Sequence, residues 1–594
     1  MWCPNNFAFQ GLRKRFANKQ GRQNHAGDGT HSSSKLEGFS YDFLSLREQD
    51  YDLTHAHDRS VSKGKSAHRP HLVRLLRLIR SKEEGTITCQ LQVKDINTTT
   101  RPIYHALSYT WGPTTQTEIA QGMTDKRNHT IICNEKELAI TENLFNCLRQ
   151  LKEDSYYDKD LWVDAICVDQ ENNLEQGQQI SMMNDIYRSA ECVVIWLGVE
   201  DESTQRAFEL ISDFNEDWPN IDLDVTKDNL RDYWFPVVSL FARTWFTRAW
   251  VIQEILLAQN TVHMKLLPYK NPAKLVAIKK DMDGSGSADI LLHSLIRCRT
   301  YNALKRHDKV YSLLGLVVPK GQECPELLYP NYDLTAAELY TNVTTYILEN
   351  VEGLHVLAHA EGDDFKCFPG LPSWVPDWSC RVNVGLRITR YLRYQAAGEL
   401  PCSKKVLPRG CLALSGAQLD VVTRTGDTKS QVNHSKTCDN WYQLLEELER
   451  EYPDRDHRDA FWRTLVVDTN DDGTVPVREP WGDAFAIWTG QADSDELTPE
   501  QKKRAAEFET AFLHSINTRL LRTARGHLGL GTTSCRAGDL VWIVPGSRVP
   551  LLLRPVERSI DQMRYRLVGG AYLHGYMQGE ALQELKEFRD IILI

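Results

Sequence analysis

The 594-residue chain is poor in the short signatures that usually betray a chemistry. It has 14 cysteines, yet none forms a Cys-x-x-Cys pair, which removes the usual frame of a structural zinc site. Several of them, Cys147, Cys167 and Cys192 included, stand inside apolar runs, where a reduced thiol acts as a small hydrophobe. There is no Gly-x-x-x-x-Gly-Lys-Ser/Thr loop to cradle nucleotide phosphates and no Gly-x-Ser-x-Gly elbow for a hydrolytic serine. No apolar run approaches the ~20 residues that span a bilayer. The first residues, Met1-Trp2-Cys3-Pro4-Asn5, lack the charged-then-apolar order of a secretory signal. Positive charge is also short. Lys and Arg number 70 against 80 Asp and Glu, a net charge of −10, the reverse of a protein built to grip nucleic acid. The expectation is a reduced, cytoplasmic protein with no membrane span, no metal and no nucleic-acid partner.

What is present is ordinary globular material, 41% hydrophobic and 25% charged, enough to bury a normal core. Residues 1–70 read as a disordered, basic N-terminal tail with Arg13, Lys14 and Arg15 at its centre. Residues 71–270 have α/β rhythm. Strands are expected at Leu72–Leu76, Thr86–Val93, Tyr104–Gly112, Leu161–Val168 and Cys192–Gly198. Helices between them are signalled by Thr141 as an N-cap and by the spacing of Ile180, Met183, Ile186, Tyr187 and Ala190. Such alternation predicts a mostly parallel sheet of flavodoxin type, with ligands received beyond the carboxyl ends of its strands. Gly112, Asp169 and Gly198 fall at those ends. Residues 271–400 read as mainly helical. Residues 401–594 read as mixed, ending in a small β-barrel-like module of short strands and Gly/Pro turns, such as Gly538–Gly546 and Val549–Arg554.

The segment Arg243–Ala258 reads as one helix. Phe246, Trp250, Glu254 and Leu257 then follow at i+4, i+4 and i+3, so Glu254 shares a stripe with two aromatics and a leucine. A carboxylate there is desolvated, or paired with Arg243 or Arg248. Perturbed carboxylates mark functional sites only as often as they mark buried ion pairs, and both readings stay open.

Three blocks, taken together, resemble the fungal heterokaryon incompatibility (HET) domain family. They are His105–Gly112; Leu161–Gln170 running on to Ile186-Tyr187 and Val194–Gly198; and Arg243–Glu254. The resemblance implies a role in fungal self/non-self recognition and cell-death signalling, through protein partners and possible self-assembly. HET domains are in turn similar to TIR domains, whose helices carry Trp-Cys-x-x-Glu. Trp250-Val251-Ile252-Gln253-Glu254 keeps the Trp and the Glu, with Val in place of Cys. In NAD-cleaving TIR proteins that Glu is catalytic. The resemblance therefore implies Glu254 as a candidate catalytic residue, NAD as a candidate substrate, and Ser108, Asp169 and Trp250 as candidate ligand-binding residues. No cofactor is otherwise called for. Three readings result: an NAD hydrolase, an interaction module that signals without chemistry, and a family member with no death role.

Overall fold

The computed structural model describes residues 38–42, 44–46, 70–80, 85–98, 101–217, 230–258, 278, 286–319, 322–382, 393–435, 438–469, 481–490, 497–559, 562–585 and 587–594. The basic cluster Arg13-Lys14-Arg15 lies outside them.

Two sheets organise the molecule. The first has seven strands in the order β5-β4-β2-β1-β6-β3-β7. These are β1 Leu72–Ile79, β2 Thr88–Asp95, β3 Tyr104–Ser108, β4 His129–Cys133, β5 Lys136–Ile140, β6 Asp160–Trp162 and β7 Cys192–Ile195. The expected α/β class holds, and the sheet is mixed. β3 runs parallel to both β6 and β7, and β2 parallel to β4. β1 is antiparallel to β2 and β6, and β4 to β5. The parallel trio β6-β3-β7 is the part whose carboxyl ends meet the later helices. β3 is buried along its whole length, which explains why its sequence does not alternate.

Local departures from the sequence expectation have identifiable causes. The long strand expected at Leu161–Val168 ends at Trp162, and a helical turn, Asp164–Cys167, takes over. The Val163 carbonyl accepts the amides of Ile166 at 3.0 Å and Cys167 at 2.7 Å, closing that turn where apolar content would carry a strand further. The single helix expected near Met183 is two, Asn173–Ser181 and Met183–Ser189. Thr141 sits at an N-cap position, but its hydroxyl makes no cap bond.

The segment Arg243–Ala258 is not one helix. Thr244–Thr247 is a 3₁₀ turn, Arg248 is extended with φ −73° and ψ 138°, and the α-helix begins only at Val251 and ends at Leu256. A remote segment forces the break. The Ala249 amide donates to the Asn302 carbonyl at 2.8 Å, and Asn302 forms a parallel bridge with Arg248. Phe246 is thereby removed from the stripe of Trp250, Glu254 and Leu257.

The middle of the chain supplies helices Ser287–Cys298, Asp308–Tyr311, Leu314–Val317 and Ala336–Asn350, joined by loops and 3₁₀ turns. The C-terminal sheet is β-rich, as expected. Its hub is the 18-residue β9, Cys411–Thr428. β9 pairs with β8 (Lys404–Leu407), β10 (Thr518–Thr523), β12 (Leu540–Ile543) and β16 (Arg589–Leu593). β12 continues through β13 (Leu551–Ser559) and β14 (Gln562–Gly570) to β16, and the β12–β9 pairing closes that circuit into a five-stranded barrel. β11 (Leu528–Thr532) and β15 (Tyr572–Leu573) extend the sheet beyond β10. Gly529 and Gly531 lie within β11.

Candidate functional site

The site lies where β3 and β6 end. Ser108 is the last residue of β3 and is fully buried. Its hydroxyl donates to Oε2 of Glu254 and accepts the Trp245 indole N–H at 2.8 Å. Glu254, 3% exposed, projects from the helix Val251–Leu256. Its other oxygen, Oε1, faces Nη1 of Arg248 at 3.8 Å, and the same nitrogen donates to the Tyr109 carbonyl. The extended backbone at Arg248, imposed by Asn302, is what turns the guanidinium back toward the helix that follows it. Asp164, just past β6, accepts the Trp111 indole N–H at 2.9 Å.

The electrostatics follow from burial. Removal from water pushes the Glu254 carboxyl up to about 7, against the opposing pull of Arg248 and the Ser108 hydrogen bond. Burial also raises Asp164, again opposed by Arg248 and by Trp111. For Arg248 burial works against the charge, but Glu254 and Asp164 outweigh it and hold the guanidinium above its ordinary range. One cation thus serves two buried acids. The Arg248 side chain is 16% exposed against 3% for Glu254, so the arginine stands between the carboxyl and solvent.

The sequence-derived candidates divide. Ser108 and Glu254 are in direct contact. Trp250 is half-buried one turn before Glu254 and lies near Asp308, where it opposes the rise that burial imposes on that carboxyl, rather than at the Ser108 hydroxyl. Asp169 belongs to a different cluster. Its carboxylate accepts the Glu171 amide at 3.1 Å, and its own amide donates to Glu175 at 2.7 Å. Glu175 is clamped in turn by the buried Arg74 at 2.5 and 3.0 Å. Of the two arginines offered as partners for Glu254, only Arg248 meets it. Arg243 instead bonds Asp201 at 2.9 Å, Thr204 at 2.7 Å and the carbonyls of Leu197 and Val199. Asp164 and Trp245 were not anticipated. Both lie inside recognised blocks, but the break of the 3₁₀ turn from the helix is what sets Trp245 on Ser108 and Arg248 near Asp164. Among the described residues no cluster of His, Cys, Asp and Glu is arranged to hold a metal ion.

Chemically, a carboxyl balanced near neutrality beside a fixed hydroxyl and a guanidinium can give or take a proton. The same triad can simply pin the helix Val251–Leu256 to β3.

The family model of the heterokaryon incompatibility protein (HET) matches residues 104–254, beginning with β3 and ending on Glu254 itself. The chain is a HET-domain protein. A second model, the Het-6 beta-barrel domain, matches residues 430–594 of it. This HET-domain protein is 25% identical to heterokaryon incompatibility protein 6, OR allele, of Neurospora crassa, over 83% of its own length and 92% of the relative's. It is 24% identical to the vegetative incompatibility protein HET-E-1 of Podospora anserina, over 41% of its own length and 16% of that protein's. No solved structure matches it. Among its described residues no helix is long and apolar enough to cross a membrane.

Proposed function

We propose that the protein acts in fungal heterokaryon incompatibility, its HET domain triggering growth arrest or cell death after non-self contact, through protein partners in the cytoplasm. The observation that carries this reading is similarity along nearly the whole length of an incompatibility protein, not along the HET domain alone. The test is controlled overexpression of the full chain in a fungal host. Loss of viability supports the reading. Normal growth with the protein verified on an immunoblot overturns it.

A second reading, NAD hydrolysis, is favoured by one feature: Glu254, held up to about 7, lies at the carboxyl end of β3 within the parallel part of the sheet. A carboxylate there would stabilise an oxocarbenium-like transition state. Purified protein incubated with NAD, beside Glu254→Gln, distinguishes the two readings. NAD consumption that the substitution abolishes supports hydrolysis. If no NAD is consumed but the host still dies, the domain signals by assembly.

A further inference from the structure

Away from Glu254, at the seam between the HET domain and the middle helices, lies a cavity of about 780 Å³. This is the size range of small-molecule sites, which favour such seams. Asn173 reaches it from the HET-domain side, and Tyr301 to His307, Lys309, Tyr332 and Arg381 from the other. Its charge is one-sided in a chain whose net charge is −10. Lys305, Arg306, Lys309 and Arg381 line it, together with His307, and no lining residue is acidic.

Two buried acids lie behind the lining rather than in it. Asp308, 8% exposed, accepts the Tyr332 hydroxyl at 2.7 Å. Asp377, 4% exposed, accepts the Cys367 amide at 2.7 Å and the Ser379 amide at 2.8 Å. Among the described residues neither Arg306 nor Arg381 has a carboxylate within ion-pair distance. The adjoining cavity behaves differently, since its Arg566 is paired with Asp363 at 2.6 Å.

The cations are held in place. Lys305 lies over the Tyr332 ring, 4.1 Å from its centroid, and bonds Gln176 at 3.2 Å. Arg306 lies over the Phe368 ring at 5.0 Å. Lys309, 7% exposed, spends two of its three N–H bonds on the carbonyls of Arg299 and Tyr301. Burial and the charge of Arg381 lower its amine to about 8. Four cations around one concavity, with no acid in its lining, make it receptive to an anion.

We infer that this cavity binds a compact phosphorylated small molecule, its phosphates received by Lys305, Arg306 and Arg381 with Lys309 behind them. Guanidinium forks and ammonium groups suit phosphate oxygens, and the Tyr332 ring closes one side. This inference stands apart from either reading of Glu254.

The test is calorimetric titration of the full chain at low ionic strength with two probes, inorganic tripolyphosphate and ATP. Lys305 and Arg306 are exposed, so the double variant Lys305→Gln/Arg306→Gln leaves the core untouched. Lys502→Gln/Lys503→Gln, at two exposed positions of the helix Pro499–Leu513, makes the same charge change elsewhere. Both probes are expected to bind, more weakly as salt rises. The first variant should weaken them at least about tenfold per lost phosphate contact and the second should not. Binding of ATP alone, lost in the first variant, assigns the site to a nucleotide and still supports it. No binding of either probe, or equal weakening by both variants, overturns it.

Discussion

Glu254 shows how far one side chain can depart from its solution chemistry. Its carboxyl sits at about 7 in the folded protein, against an ordinary value of 4.5. Between those values the folded state holds a proton that the unfolded state has lost. Stability therefore falls as pH rises through that window, by about 3 kcal/mol in all. Glu254→Gln removes this titration. Urea unfolding of wild type and variant at pH 5 and pH 8 should show the difference moving in the variant's favour by about that amount. A difference independent of pH would sink the assignment. Arg248 carries the opposite expectation. Arg248→Met strips the counter-charge from two buried acids at once, and a loss of about 3–5 kcal/mol is expected in the same denaturation. Arg248→Lys should recover only part, because the shorter lysine side chain ends before the position of Nη1, from which Arg248 meets both Glu254 and the Tyr109 carbonyl. Full recovery with lysine would mean that charge alone, not geometry, holds the site.

At the scale of elements, the helix Val251–Leu256 is placed by close approach rather than by length. It packs on Leu314–Val317 through Gly315, where an added Cβ would lie 2.6 Å from Oε1 of Gln253 and 2.8 Å from Leu257. Gln253 is fully buried and donates to the Tyr311 carbonyl at 2.8 Å, so it has little room to yield. Gly315→Ala should therefore cost about 1–3 kcal/mol. It should also displace the helix that carries Glu254, seen as faster hydrogen exchange at the Gln253 and Glu254 amides. Unchanged exchange would show that the helix tolerates the displacement. The same helix marks the limit of what periodicity reveals. β1, β2, β3 and β7 were legible because a buried or half-buried strand writes its own pattern locally. Ser108 and Glu254 were legible because each stands at a recognisable position in a block. The break at Arg248 was not, since it is made by Asn302, more than fifty residues further along the chain. Asp164 was hidden similarly: Leu161–Val168 is apolar enough to be one strand, yet a helical turn closed on the Val163 carbonyl ends it. Local pattern ranks the segments, and non-local pairing decides where each stops.

At the scale of the whole molecule, neither matched domain coincides with a closed packing unit. The HET match begins at residue 104, yet β1 and β2 lie inside its sheet, with β1 paired to β6. The barrel match begins at residue 430, two residues past the end of β9 and inside the next helix, yet β9 holds β8, β10, β12 and β16 together. One buried apolar cluster runs from Val73 of β1 through Leu339 and Trp374 to Leu414, Trp542 and Leu593. β9 contributes Leu412 and Leu414 to it and Leu419 and Val422 to a separate barrel cluster. Removing β9 would leave β10, β12 and β16 with unpaired edges and open the barrel, since the β12–β9 pairing is what closes it. A fragment of residues 430–594 is therefore expected to aggregate or to lack a cooperative transition. A fragment of residues 404–594, which restores β8 and β9, should show a β-rich circular-dichroism spectrum and better solubility. Its melting temperature should still fall below that of the full chain, because Leu412, Leu414 and Trp542 lose partners in the shared core. A soluble, cooperatively folding 430–594 would show instead that the barrel closes without its hub strand, and that the continuous core is contact between independent domains.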